Sequence, residues 1–205
     1  MKKITLAVMA IAGLAGATTA FASDNGPYIF GAIGSASGDN FQSFMDNRFG
    51  AFSSSVNYPG AVKLNVGYQI NSNFAIEGGY LGLNDQNYVD NFGDAATNSL
   101  SGWDVKAVGI LPLGYQFSLL GKLGLADIYS SINIPFYSFG GGSYGTSSKT
   151  ALTYGLGAKF DLSRAVWMRF DWDSYDSDIN VGDGITPIAS NRFNVWTIGL
   201  GFTFY

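Results

Sequence analysis

Val62, Leu64, Val66, Tyr68 and Ile70 fall on one side of a segment whose other side carries Lys63, Asn65, Gly67 and Gln69. Alternation sustained over nine residues predicts a β-strand with two chemically different faces. Asn71-Ser72-Asn73 has the composition of a tight turn. Phe74, Ile76 and Tyr80 then oppose Glu77, so the stretch reads as a hairpin. The pattern recurs five more times. Trp103, Val105, Ala107 and Leu111 oppose Asp104 and Lys106. Phe117, Leu119, Leu123 and Leu125 oppose Ser118, Lys122 and Gly124, with Leu120 as an exception on the polar face. Leu152, Tyr154, Leu156, Ala158 and Phe160 oppose Thr153, Gly155, Gly157 and Lys159. Val166, Met168, Phe170 and Trp172 oppose Arg169, Asp171 and Asp173. Trp196, Ile198, Leu200, Phe202 and Phe204 oppose Thr197, Gly199, Gly201 and Thr203. The first segment, Tyr28 to Ala36, is the weakest, because Ile29 and Ile33 spoil its polar face.

The connections alternate in length: long (37–60), short (71–73), long (84–101), short (112–115), long (127–149), short (162–164), long (175–191). An up-and-down barrel whose two ends meet different solvents predicts this alternation. The expected fold is all-β, an eight-stranded antiparallel up-and-down transmembrane β-barrel, with short turns and both termini in the periplasm.

Composition sharpens that reading. Only 13% of residues are charged, against about 25% in soluble domains, while 47% are hydrophobic and 16% aromatic. Past the N-terminal segment no apolar run approaches the roughly 18 residues a membrane helix needs. At the N-terminus, Met1-Lys2-Lys3, the apolar stretch Ile4 to Thr19 and Ala20-Phe21-Ala22 form the three regions of a secretory signal peptide. Residues 1–22 are therefore expected to be removed, leaving a single barrel domain over 23–205. The mature chain would carry nine basic and fifteen acidic residues, a net charge near −6. That argues against a nucleic-acid partner, which needs a basic face. The chain contains no cysteine, which excludes a lipidated cysteine, disulfides and thiolate metal sites. It contains no histidine either, so no imidazole serves acid–base chemistry or metal binding.

Five basic residues, Lys63, Lys106, Lys122, Lys159 and Arg169, share the polar faces with Glu77, Asp104, Asp171 and Asp173. A lipid-facing Lys or Arg costs about 2–4 kcal/mol at the bilayer midplane. Turning all five outward would cost about 10–20 kcal/mol, comparable to the whole stability of a domain. In a membrane these charges must line the lumen. Periodicity alone also admits a soluble ligand-carrying barrel of lipocalin type, with the apolar faces inward. The aromatic residues on the apolar faces, many near strand ends, favour interfacial girdles instead.

The segments 23–34, 73–80, Asp104-Val105-Lys106-Ala107-Val108-Gly109 with Leu111-Pro112-Leu113, and Tyr154-Gly155-Leu156-Gly157-Ala158-Lys159 resemble the small OmpA/OmpX-type outer-membrane β-barrel family, including its opacity-like, porin-family members. The C-terminal Phe202, Phe204 and Tyr205 resemble that family's assembly signal, with one departure. Alternation makes Phe204 the lipid-facing aromatic and leaves Tyr205 over. The resemblance implies a Gram-negative outer-membrane location reached through the secretory pathway. It also implies lipid and lipopolysaccharide as surroundings, periplasmic chaperones and the barrel-assembly machinery as biogenesis partners, a host or surface ligand at the loops, and a monomer.

Some barrels of this size are enzymes acting on lipids, but their nucleophile needs an activating base, usually His. No catalytic residue, cofactor or metal site is therefore expected. The acidic run Asp171, Asp173, Asp176, Asp178, Asn180, Asp183 does not match the twelve-residue calcium loop, because Gly182 is one place late and Pro187 stands where the bidentate Glu belongs. It reads as a lumen pair followed by a solvated acidic loop. The aromatic residues between Ile132 and Tyr144 suit either an interaction surface or strands extended past the membrane. An eight-stranded barrel is just wide enough for its own side chains. Two roles remain: a surface structural or interaction protein, adhesion-like, presenting four long loops, or a narrow channel or transporter for small or hydrophobic solutes.

Overall fold

The computed structural model describes residues 25–38, 53–54, 60–84, 86–89, 95–114, 116–134, 142–178 and 190–204. Eight strands build the wall: β1 (Gly26–Ser37), β3 (Gly60–Asn71), β4 (Phe74–Leu83), β6 (Ala95–Pro112), β7 (Phe117–Ile134), β8 (Gly142–Asp161), β9 (Val166–Asp178) and β10 (Ser190–Thr203). Two short pieces, β2 (Ser53–Ser54) and β5 (Gln86–Val89), pair with each other, and β5 extends the sheet beyond β6. Each wall strand pairs antiparallel with two neighbours. The β1–β10 ladder joins the N- and C-terminal ends of the wall, and the β6–β7 ladder completes a closed barrel. Closure removes sheet edges, so the backbone amides are satisfied inside the wall, as hydrocarbon surroundings require.

The two faces are sorted as in a membrane barrel. Val105, Leu123 and Leu156 are 63%, 59% and 62% exposed on the outside, whereas their neighbours Lys106 and Lys122 are 1% and 4% exposed inside. A soluble lipocalin-type barrel would have the reverse arrangement. Every wall strand carries exposed large apolar side chains on this face, from Ile33 in β1 to Leu200 in β10, a surface of the kind that marks contact with membrane or partner. Aromatic rings group on it: Tyr80 and Trp103 are cross-strand partners with centroids 4.9 Å apart, and Trp172 and Trp196 are partners at 6.0 Å. The outward charges Asp127, Asp176 and Arg192 lie at or beyond this level, toward the long connections.

Two expectations need correction. In β1 the faces are inverted: Tyr28, Phe30, Ala32 and Ala36 point inward, and Ile33 is 55% exposed. Both faces of this strand are apolar, so alternation could not orient it; the ladders to β3 and β10 do. The long connections are also shorter than expected. β7 runs to Ile134 and β8 starts at Gly142, while β5 and β6 form a hairpin within 84–101, and β9 and β10 bracket 179–189. Polar strands can continue above the membrane by pairing with each other, and Ser, Asn and Thr there carry no strong apolar alternation to mark them. The short turns at 72–73, 113–116 and 162–165 stand as expected, the first held by the Asn71 side chain, which accepts from the backbone N–H of Asn73 and Phe74. The expected signal peptide and its cleavage site lie outside the described residues.

Candidate functional site in the barrel lumen

The lumen is filled in three layers. Next to the short turns, Phe30 stacks on Trp167 at 5.4 Å, and Tyr28, Ala32, Ala75, Val108 and Leu120 complete an apolar floor. Trp167 anchors it by donating its indole N–H to Thr203 Oγ1 at 3.0 Å. Leu120, the exception in its strand, belongs here. Toward the long connections, Tyr175 stacks on Phe193 at 4.9 Å and packs with Leu81, Ile128 and Val195 in an apolar lid.

Between floor and lid lies a chain of ion pairs. Glu77 on β4 receives a two-pronged guanidinium contact from Arg169 on β9, with Nη2 3.2 Å from Oε2, and also accepts from the Tyr28 hydroxyl at 2.7 Å and Asn65 Nδ2 at 3.0 Å. Arg169 Nε donates to Asp171 Oδ2 at 2.9 Å, and its guanidinium lies 3.9 Å from the Phe30 ring centre, a cation–π contact that ties the charges to the floor. Lys122 on β7 bridges Asp171 and Asp173 at 3.0 and 2.9 Å. Asp173 also takes Lys63 of β3 at 2.5 Å and Lys106 of β6 at 3.7 Å. Lys106 then reaches Asp104 at 2.6 Å, and the Tyr175 hydroxyl donates to the same carboxylate oxygen at 3.0 Å.

Four carboxylates (Glu77, Asp104, Asp171, Asp173) thus meet four cations (Lys63, Lys106, Lys122, Arg169), each within 4% exposure, so the buried cluster is electrically neutral. Pairing of this kind is the condition for holding charges in a dry interior. Lys159 stands apart. It pairs with Asp161 at 2.9 Å near the turn end, partly exposed, with its ammonium 5.4 Å from the Trp167 ring. Glycines across the ladders make room for the charges: a methyl group at Gly155 or Gly157 would collide with the carboxylate of Asp173 or Asp171, their cross-strand partners.

Tyr28, Asn65, Trp167 and Tyr175 belong to the lumen without having been singled out in sequence. Asn65 and Tyr175 continue the inward alternation of Lys63 and Asp173, which was the available signal. At the C-terminus, Phe204 is exposed and packs on Phe202 at 5.0 Å, while Tyr205 lies outside the described residues. In the acidic run, Asp176 pairs with Arg192 at 3.1 Å, and 179–189, including Asn180 and Asp183, lie outside the described residues.

A family model described as "Outer membrane protein beta-barrel domain" matches residues 5–204. No curated protein matches the chain. Among solved structures, Neisserial surface protein A (NspA) superposes with a TM-score of 0.60 at 13% identity, covering 87% of this chain and 97% of that one. Ail, the attachment invasion locus protein of Yersinia pestis, solved with the heparin analogue sucrose octasulfate, gives 0.53 at 17% identity over 87% and 99%. OprG from Pseudomonas aeruginosa gives 0.51 at 16% identity over 88% and 96%. At these identities the likeness is one of fold.

Proposed function

This chain belongs to the outer membrane protein β-barrel domain family, and from that premise we propose that it acts through what it presents at the cell surface rather than through what it passes. It is an integral barrel of the Gram-negative outer membrane. The connections at the end opposite the short turns face outward, as such barrels place their longer loops, and serve structural or adhesion-like contacts. The observation that supports this reading is the lumen filling: a neutral set of buried ion pairs enclosed by an apolar floor and an apolar lid. A hydrated solute path would have to break both layers and strip paired charges of their partners. Chaperones and the barrel-assembly machinery remain the expected biogenesis partners, and a monomer the expected unit.

In sequence, the stretches 37–60, 84–101, 126–150 and 174–192 hold nine acidic and three basic residues, so the whole mature excess of negative charge sits at the loop end. A cationic partner suits it, and a sulfated polyanion of the kind seen with Ail does not.

Planar-bilayer recording of the refolded protein tests the proposal. The expected result is no steady conductance. A stable open level in the wild-type protein would replace this reading with the narrow-channel alternative.

A further inference from the structure

Asn65 is fixed in its amide orientation, because Nδ2 donates to Glu77 Oε2 at 3.0 Å and a flip would set oxygen against carboxylate. Its Oδ1 therefore points away from Glu77, and it meets no donor among the described residues. Asp104 is in the same situation. Oδ2 takes both the Lys106 ammonium and the Tyr175 hydroxyl, and Oδ1 meets none. Both residues are buried, at 0% and 4% exposure.

The two oxygens converge on one place. Gly79 on β4 is the cross-strand partner of Asn65 on one side and Asp104 on the other. A Cβ built on Gly79 would stand 2.5 Å from Asn65 Oδ1 and 2.9 Å from Asp104 Oδ1. Two buried acceptors brought together over one glycine repel unless a hydrogen lies between them. Net charge decides what supplies it. The surrounding four carboxylates and four cations already balance, so a cation would leave a buried charge uncompensated. A water molecule donates two hydrogens and adds no charge.

We propose that a single buried water over Gly79 donates to Asn65 Oδ1 and Asp104 Oδ1. It closes the open chain of contacts into a ring that runs from Glu77 through Arg169, Asp171, Lys122, Asp173, Lys106 and Asp104, then through the water and Asn65 back to Glu77. The ring stitches β3, β4, β6, β7 and β9 together inside the lumen. Gly79 is its positioning residue, because a Cβ there would strike both oxygens and push them from the positions that share the water.

The test compares Gly79→Ala with Gly79→Ser in the refolded full chain and adds a high-resolution crystal structure of the unmodified protein. Both variants carry the same intruding Cβ, but the serine hydroxyl can donate in place of the water. The serine variant is expected to melt about 2–4 °C above the alanine variant, the shift that corresponds to one recovered hydrogen bond in a chain of this size. An alanine variant as stable as the serine variant, or more so, would overturn the proposal. Should neither variant fold, the crystal structure decides. Electron density within hydrogen-bond distance of both oxygens, indifferent to exchanging sodium for potassium, is expected. The two oxygens in direct contact through a shared proton, or a bound cation there, would overturn it.

Discussion

Arg169 joins the charged layer of the lumen to its apolar floor, since it grips Glu77, donates to Asp171 and lies against Phe30. Removing one partner of a buried pair leaves the other charge uncompensated, at a cost of about 3–5 kcal/mol in a dry site and less where water enters. Arg169→Ala and Glu77→Ala should each lower the denaturant midpoint of the refolded barrel clearly. Replacing both with methionine should cost less than the sum of the single changes, because no lone charge remains. Arg192→Ala, whose contact with Asp176 lies on the exposed rim, should leave the midpoint unchanged. Equal midpoints for wild type and both single variants would remove the energetic role of the ion pairs. The charged residues themselves were legible because each falls on the polar side of an alternating strand. Their partners were not, since which strand faces which across the lumen depends on shear. Tyr28 and Tyr175 escaped notice because a tyrosine suits an apolar wall and a polar network equally well.

Along a strand, one residue decides between lipid and lumen. Val105 and Lys106 are neighbours, yet the first is 63% exposed to the outside and the second 1% exposed within. Val105→Lys should therefore destabilise the barrel by about 2–4 kcal/mol if this position sits near the midplane, measured as reversible unfolding in lipid. A neutral outcome there would mean that the apolar wall does not face hydrocarbon. Strand identity and the short turns were readable wherever the two faces differ in polarity. In β1 they do not: Ile29 and Ile33 on one side and Tyr28, Phe30 and Ala32 on the other are all apolar, and only pairing with β3 and β10 orients the strand. The extensions of β6, β7 and β8 were invisible for a related reason, as Ser, Thr, Asn and Gly pair as readily as they loop.

For the molecule as a whole, the alternation of connection lengths carried the topology, and the closing ladders join the ends of the same eight-strand circuit. The proposed orientation puts the short turns in the periplasm, so trypsin added to intact cells should spare Arg164, and cleavage there would reverse the orientation. An acidic loop end predicts that the purified protein passes through immobilised heparin at physiological salt without retention, and retention released by salt would contradict the charge argument. The absence of cysteine makes the sealed lumen itself open to direct measurement. Single cysteines can be placed at Thr153 inside, at Leu123 on the lipid wall and at Asp90 in a connection, and exposed to a charged, membrane-impermeant thiol reagent in proteoliposomes. Rapid labelling is expected at 90 only, with 153 buried opposite Tyr175 of the lid and 123 shielded by lipid; labelling at 153 as fast as at 90 would mean an open, water-filled barrel and contradict the account.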